Sequence, residues 1–439
     1  MTRIWQSGKR VNCELLFSWF VFLLFFFFSC KTSWERLENC GFFNPSYQSW
    51  EISEWLINYQ GGFVRRGIIG QLLWTLEQWF PFDIRVTVTA FCIISTMIIL
   101  YVILRIFRRQ GWALLIIPTG FCLGFTMFST WARRDHLSLM LTYGLFLLFR
   151  HAINNPRKWT AWTAFYLVAA LQLLIHEASF FYTFPILMLY CFHYSRSRQE
   201  SISSSVTTCL MRFLPVLLVM AAVCLFKGNE STAQCVWASW EPVISNYQAD
   251  AATIGNGVGA LGWDARVIFP YHLVTSLVGQ TNPSGWRIPL VLFNLLAGYF
   301  LLTRLNAVNM GVYRTRQMDH TLMSDVAVIQ FITLLPMFTI LSCDWGRTLP
   351  YWIISSLFFY HTFKDEQVAF APQLTRLSTA VQQFITGNRF MRSPCTYILL
   401  VLLAPVPSYF APLDHINTIQ QRICLWFADI IHPIATLIS

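Results

Sequence analysis

The chain has 439 residues, of which 55% are hydrophobic and only 12% charged, against about 25% charged in soluble proteins. With 39 Phe and 18 Trp, this composition excludes a disordered chain, a coiled coil, a collagen and a cytosolic enzyme. The net charge of +10 gathers in short loops between apolar runs, which argues for basic cytoplasmic loops of a membrane protein and against a nucleic-acid partner.

The first apolar run, Leu15–Cys30, follows Arg3, Lys9 and Arg10, which hold the N-terminus in the cytoplasm. Only Lys31-Thr32-Ser33-Trp34 follows it, with no small-x-small cleavage site, so it reads as a retained helix rather than a signal peptide. Residues 31–85 then form a first outer loop, with an interfacial helix predicted over Arg65–Phe80 from its aromatic residues. Runs of about 17–24 residues suit about 30 Å of hydrocarbon. The next are Val86–Phe107, Trp112–Thr130, Leu137–Phe149, Trp159–Ile175, Ala178–Tyr194 and Leu210–Phe226. Leu137–Phe149 is short for a span and is predicted to begin inside the preceding Arg-Arg-Asp-His stretch. A second outer loop, residues 227–287, is rich in Gly, Trp and Tyr, and loops of such length are usually functional. Ile288–Thr303, Val326–Leu341, Leu349–Phe363 and Pro394–Phe410 follow. A weaker run, Ile423–Ile438, is interrupted by Asp429 and Pro433.

The expectation is an all-α, polytopic integral membrane protein of 11 or 12 transmembrane helices, one membrane domain over residues 1–439, with two long extracytoplasmic loops. On this topology 19 of the 31 Lys and Arg fall on inner segments, as the positive-inside rule expects. No internal repeat is evident, which weakens a secondary-transporter reading. The 12 Cys show no CxxC pair and no zinc spacing. Cys30, Cys40, Cys235 and Cys343 fall on the outer side, where a Cys40–Cys235 disulfide is one option.

Ionisable residues near hydrocarbon are costly and mark function by default. Four groups gather at the outer ends of helices. They are Glu51 and Glu54 followed by Arg65 and Arg66; Arg133-Arg134-Asp135-His136; His176-Glu177; and Asp344 with Arg347. Each has a bland reading. Arg65 and Arg66 can snorkel to lipid phosphates, Arg133, Arg134 and Asp135 can close an ion-pair cluster, His176 can be a core histidine, and Asp344–Arg347 a local salt bridge. His176-Glu177 opens like HExxH, but Phe180 stands where the second His belongs. Gly257-x-Gly259-x-x-Gly262 spells a dinucleotide fingerprint without the βαβ context that gives it meaning. The coincidence of four groups at one depth is the strongest signal.

Arginine forks suit phosphate and pyrophosphate, and carboxylates and imidazoles accept hydroxyl protons. Polyprenyl-linked glycans carry pyrophosphate, sugar and a membrane tail together. The acid-bearing first outer loop, its interfacial helix and Asp135 in a short second loop resemble the C-type (GT-C) membrane glycosyltransferases and the related O-antigen and exopolysaccharide polymerases. The stretch from Glu54 to Gly67 is similar to a segment of uncharacterised bacterial membrane proteins from polysaccharide clusters. No Asp-x-Asp stands in the first loop; an Arg- and His-rich site resembles the polymerases and ligases, which need no metal.

The resemblance implies an inner-membrane polysaccharide polymerase or glycosyltransferase acting at the periplasmic face on undecaprenyl-pyrophosphate-linked sugars. A flippase or transporter of lipid-linked oligosaccharides is the alternative. Arg65, Arg66, Arg133, Arg134 and Arg347 are the candidate phosphate ligands. His176, Glu177, Asp135, His136 and Glu54 are the candidates for the base and its orientation, with Glu51 and Asp344 in support. No metal ligand set and no cofactor is expected, with a divalent metal left open. The expected partners are the lipid-linked oligosaccharide, the membrane, and a chain-length regulator and flippase.

Overall fold

The computed structural model describes residues 50–107, 133–244, 257–278, 320–342, 345–366 and 370–387, with isolated helical positions between 16 and 34 and between 295 and 302. Among the described residues every regular element is helical, so the protein is an all-α, polytopic membrane protein. The runs Trp112–Thr130, Pro394–Phe410 and Ile423–Ile438, together with Cys40, lie outside the described residues. Among the described residues four helices are long and apolar enough to cross a membrane, at Ile84–Ile106, Asp135–Asn154, Ile202–Leu225 and Leu322–Thr339, and Trp159–Ile175 is a shorter apolar helix.

The chain divides into two compact units, which no linker in the sequence announces. One consists of Phe28–Thr96 and Thr130–Ile268, the other of Met1–Phe27, Met97–Ser129 and Phe269–Ser439.

The first unit is built on four consecutive helices, α4 (Asp135–Asn154), α5 (Trp159–Ile175), α6 (Ser179–Ser197) and α7 (Ile202–Leu225). Helix α4 begins at Asp135, whose negative charge suits the positive end of the helix dipole. It stops before Pro156, which disfavours the helical conformation at Asn155. Helix α5 packs on α4 and α7, and α6 packs on α4 and α7. Their contact is aromatic. Phe149, fully buried, has ring centroids of Trp162, Phe165, Tyr190 and Phe213 at 6.0, 5.4, 6.2 and 5.6 Å. A polar seam threads the same bundle. Ser138 Oγ meets Tyr182 Oη at 2.7 Å, and the Gln172 amide donates to Thr142 Oγ1 at 2.7 Å. Sequence patterning places the start of α7 at Leu210. The helix begins eight residues earlier, where Ser201 accepts a hydrogen bond from the Ser204 amide and caps a Ser- and Thr-rich first turn.

Over this bundle the segments before α4 and after α7 form a cap with its own core. Helix α1 (Trp50–Ser53) runs into a 3-10 turn, Glu54–Leu56, and α2 (Gly67–Trp79) lies within the stretch Arg65–Phe80 where a helix is expected. Helix α3 (Ile84–Phe107) follows, and its first half belongs to this unit. The second loop supplies α8 (Glu230–Ala238), capped by Asn229, and a 3-10 turn at Gly259–Gly262; α9 (Ala265–Val278) follows, and only its first turn belongs to this unit. Trp55, Leu56, Ile57, Val64, Leu73, Val88, Val236, Trp237, Trp240 and Leu261 are buried together. Leu72, Leu76, Trp79 and Phe80 of α2 and its end stay exposed.

The second unit holds α10 (His320–Thr339), α11 (Trp345–Phe363) and α12 (Pro372–Gly387), with α10 packed on both others. Asp325 of α10 accepts hydrogen bonds from the Ser378 and Thr375 hydroxyls of α12.

Candidate functional site

The cap is stitched to itself by hydrogen bonds between residues far apart in sequence. Asn58 Nδ2 donates to Ser239 Oγ at 2.8 Å, Trp240 Nε1 to the Leu56 carbonyl at 2.8 Å, and the Gly257 amide to Ser53 Oγ at 2.9 Å. Gly257 is glycine for a physical reason unrelated to nucleotides, because a Cβ there would stand 2.5 Å from the Glu54 amide nitrogen. Gly70 is equally constrained, since its Cβ would fall 2.0 Å from the Ile57 carbonyl oxygen. These two contacts fix where Glu54 and the start of α2 lie.

Between them the chain turns at Arg66, a non-glycine residue in the left-handed conformation (φ 64°) that precedes α2. Such a conformation costs on the order of 1 kcal/mol or more, and it persists where the surroundings hold it. Here they do. The Arg66 carbonyl accepts from Arg134 Nη1 at 2.5 Å, while its side chain forks onto Glu177, Nε to Oε2 at 2.8 Å and Nη2 to Oε1 at 2.6 Å. Arg65 Nη1 reaches the same carboxylate at 3.3 Å.

Arg134 is fully buried. Its Nη1 also donates to the Ile175 carbonyl at 3.3 Å and its Nη2 to the Glu54 carbonyl; its guanidinium stands 5.5 Å from the Trp55 ring centre. The Arg134 amide faces Glu54 Oε1 at 3.4 Å. One side chain thus ties together the 3-10 turn, the Arg66 turn and the end of α5. Burial pulls its pKa down to about 10 against the opposing pull of Glu54, so it stays charged at neutral pH.

His176 and Glu177 occupy the break between α5 and α6. The backbone is extended at His176 (φ −157°, ψ 106°), so the two side chains serve different partners. His176 Nε2 lies 3.5 Å from Asp135 Oδ1, with both side chains buried. Burial works to raise the Glu177 pKa, but the Arg66 and Arg65 guanidiniums outweigh it and hold the carboxyl well below its usual range. Arg65 is pulled down by burial while Glu177 holds it up.

The cluster therefore gathers Glu54, Arg65, Arg66, Arg134, Asp135, His176 and Glu177 from three segments of one unit. Its charges balance, three guanidiniums against three carboxylates, with the His176 imidazole beside them. The arginines differ in access. The Arg65 and Arg66 side chains are 30% and 22% exposed and Glu177 16%, whereas Arg134 is closed off. His136 is buried on the first turn of α4, and Arg133 is half-buried, with its Nε lacking a hydrogen-bond partner among the described residues. Arg347 belongs to the other unit, where its Nη2 donates to Tyr351 Oη at 3.4 Å. Asp344 and the Glu51 side chain lie outside the described residues. Cys235 is a free, exposed thiol. Sequence reasoning missed Ser53, Ser239 and Gly257 as supports, and the signal for the latter two was the length of the second loop.

The sequence model of one family, described as uncharacterised membrane protein Rv1490, matches residues 42–272, more than half of the chain. The match takes in the cap, the bundle and the whole Arg–Glu–His cluster. No functionally curated protein and no solved structure matches the chain. The chain belongs to the Rv1490 family of membrane proteins.

Proposed function

We propose that the protein is an inner-membrane glycosyltransferase of the polysaccharide-polymerase type, with its N-terminus in the cytoplasm, working at the outer face on undecaprenyl-pyrophosphate-linked sugars. The observation that carries this reading is the division of labour at one break between helices. His176 faces Asp135, and the adjacent Glu177 faces Arg65 and Arg66. Glycosyl transfer from a lipid pyrophosphate needs both halves.

In this reading Arg65 and Arg66, the two accessible guanidiniums, hold the pyrophosphate and stabilise the charge it gains as the bond from the anomeric carbon to the phosphate oxygen breaks. An acceptor-sugar hydroxyl attacks the anomeric carbon, and its proton passes to His176. Asp135 orients the imidazole and balances the charge it acquires, as a buried carboxylate does for other catalytic histidines. Arg134 and Glu54 hold the turns that carry these groups. The exposed Leu72, Leu76, Trp79 and Phe80 keep α2 at the headgroup level, where a lipid pyrophosphate sits. Glycosyl transfer of this kind serves O-antigen, capsule or exopolysaccharide synthesis, alongside a flippase and a chain-length regulator, and this chain supplies its chemistry from side chains.

The test is deletion in the native cell, followed by gel analysis of lipid-linked and surface glycans. A ladder that collapses to one repeat unit, restored by the wild-type chain and lowered about 10²–10⁴-fold in rate with His176→Ala at normal membrane abundance, is the expected result. An unchanged glycan profile in the deletion strain would remove the proposal.

A further inference from the structure

Both accessible arginines are already engaged. The Arg66 fork is closed on Glu177 through Nε and Nη2, the edge with which a guanidinium grips phosphate bidentately, and Arg65 leans on the same carboxylate. Glu177 is itself within reach of solvent, and it belongs to the break after α5 rather than to a rigid helical turn. A carboxylate seated in this way occupies the position an anionic ligand would take.

We propose that Glu177 is an intramolecular stand-in for the substrate's phosphates and acts as a charge filter on the site. This rests on the reading of Arg65 and Arg66 as the pyrophosphate site. A ligand enters only by displacing one carboxylate from two guanidiniums. A phosphodiester headgroup of a bulk phospholipid carries a single negative charge, the same as Glu177, and gains nothing by the exchange. A pyrophosphate spreads at least two charges over several acceptor oxygens, can satisfy both guanidiniums at once, and displaces the carboxylate. A membrane-embedded enzyme surrounded by an excess of anionic phosphodiesters needs such a filter, because bare arginines would be occupied by ordinary lipid.

The experiment measures binding of farnesyl pyrophosphate to the full chain in phosphatidylcholine nanodiscs, with and without added phosphatidylglycerol. The wild-type chain should bind with an affinity that phosphatidylglycerol changes by less than about twofold. Glu177→Gln should bind at least about tenfold tighter, since the competing charge is gone, and phosphatidylglycerol should now compete. Glu177→Asp keeps the charge with a shorter reach and should bind a few-fold tighter while still rejecting phosphatidylglycerol. It decides the matter if the Gln variant does not fold. Equal or weaker farnesyl pyrophosphate binding by the variants, in a wild-type chain that binds it, would overturn the filter alone. Binding that Arg65→Ala with Arg66→Ala leaves unchanged, or no binding by any variant, would instead overturn the pyrophosphate reading of the site.

Discussion

The four-helix bundle and the cap above it are held together by different physics. In the bundle, neighbours in space are neighbours in sequence, since α4, α5, α6 and α7 follow one another and the rings around Phe149 supply the contact. In the cap, the important contacts run from side chains to distant backbone, such as Arg134 to the Glu54 and Arg66 carbonyls and Trp240 to Leu56. A bundle of this kind loses stability in proportion to the volume removed. A cap of this kind depends on a few polar atoms, and the candidate side chains lie where it meets the bundle.

That contrast can be broken most sharply at Arg134. Arg134→Met keeps much of the volume but leaves three carbonyls, two of them in fully buried contacts, without this donor, and it should cost about 3–5 kcal/mol. Chemical denaturation in detergent micelles, followed by tryptophan fluorescence, would read the loss. Arg134→Lys should recover only part of it, because one ammonium cannot span three acceptors as a planar fork does.

Glycine substitutions sharpen the same comparison. Gly257→Ala drives a methyl group into the Glu54 backbone and should cost about 1–3 kcal/mol. Gly144→Ala, in the middle of α4 with open space around the new Cβ, should be neutral or stabilise by up to about 1 kcal/mol. Thermal melts of the two variants should move in opposite directions or differ by several degrees.

Within the bundle a single polar contact matters less. Tyr182→Phe removes the hydroxyl that meets Ser138 and should cost about 1 kcal/mol, visible as a small shift of the midpoint with unchanged binding of farnesyl pyrophosphate.

Acid is the gentlest probe, since it changes nothing at neutral pH. The folded-state pKa of Glu177 is depressed by Arg66 and Arg65, so its contribution is fully present above its unfolded value of about 4.3. It is lost as pH falls from there toward the depressed value. Cap stability should therefore decline below about pH 4 in the wild-type chain, and Glu177→Gln should flatten that part of the profile.

The same division explains what could be read from the sequence. Helix α5 runs over Trp159–Ile175 as hydropathy alone predicts, and α4 begins at Asp135 inside the Arg-Arg-Asp-His stretch. Helix α2 spans Gly67–Trp79 within the predicted Arg65–Phe80. Burial of an apolar face leaves a local periodic trace, so these elements were visible. Helix α8 was not, because it is short and lies in a loop of mixed polarity. The candidate acids and arginines were legible as costly residues at a common depth. Their pairing was not, since nothing local says that Glu177 rather than Asp135 meets Arg66, or that Arg134 spends its donors on backbone. Gly257 looked like part of a nucleotide motif because letters carry no distances.

The central claim is that the Arg65, Arg66, Asp135 and His176 groups transfer sugars from a lipid pyrophosphate. The most direct measurement is release of undecaprenyl pyrophosphate from an undecaprenyl-pyrophosphate-linked oligosaccharide by the purified full chain in nanodiscs. The wild-type chain should release it with concomitant growth of the glycan. Arg66→Gln and His176→Ala should each lower the rate by about 10²-fold or more while remaining folded. Absence of release by the wild-type chain, supplied with oligosaccharide from its own cell, would contradict the account.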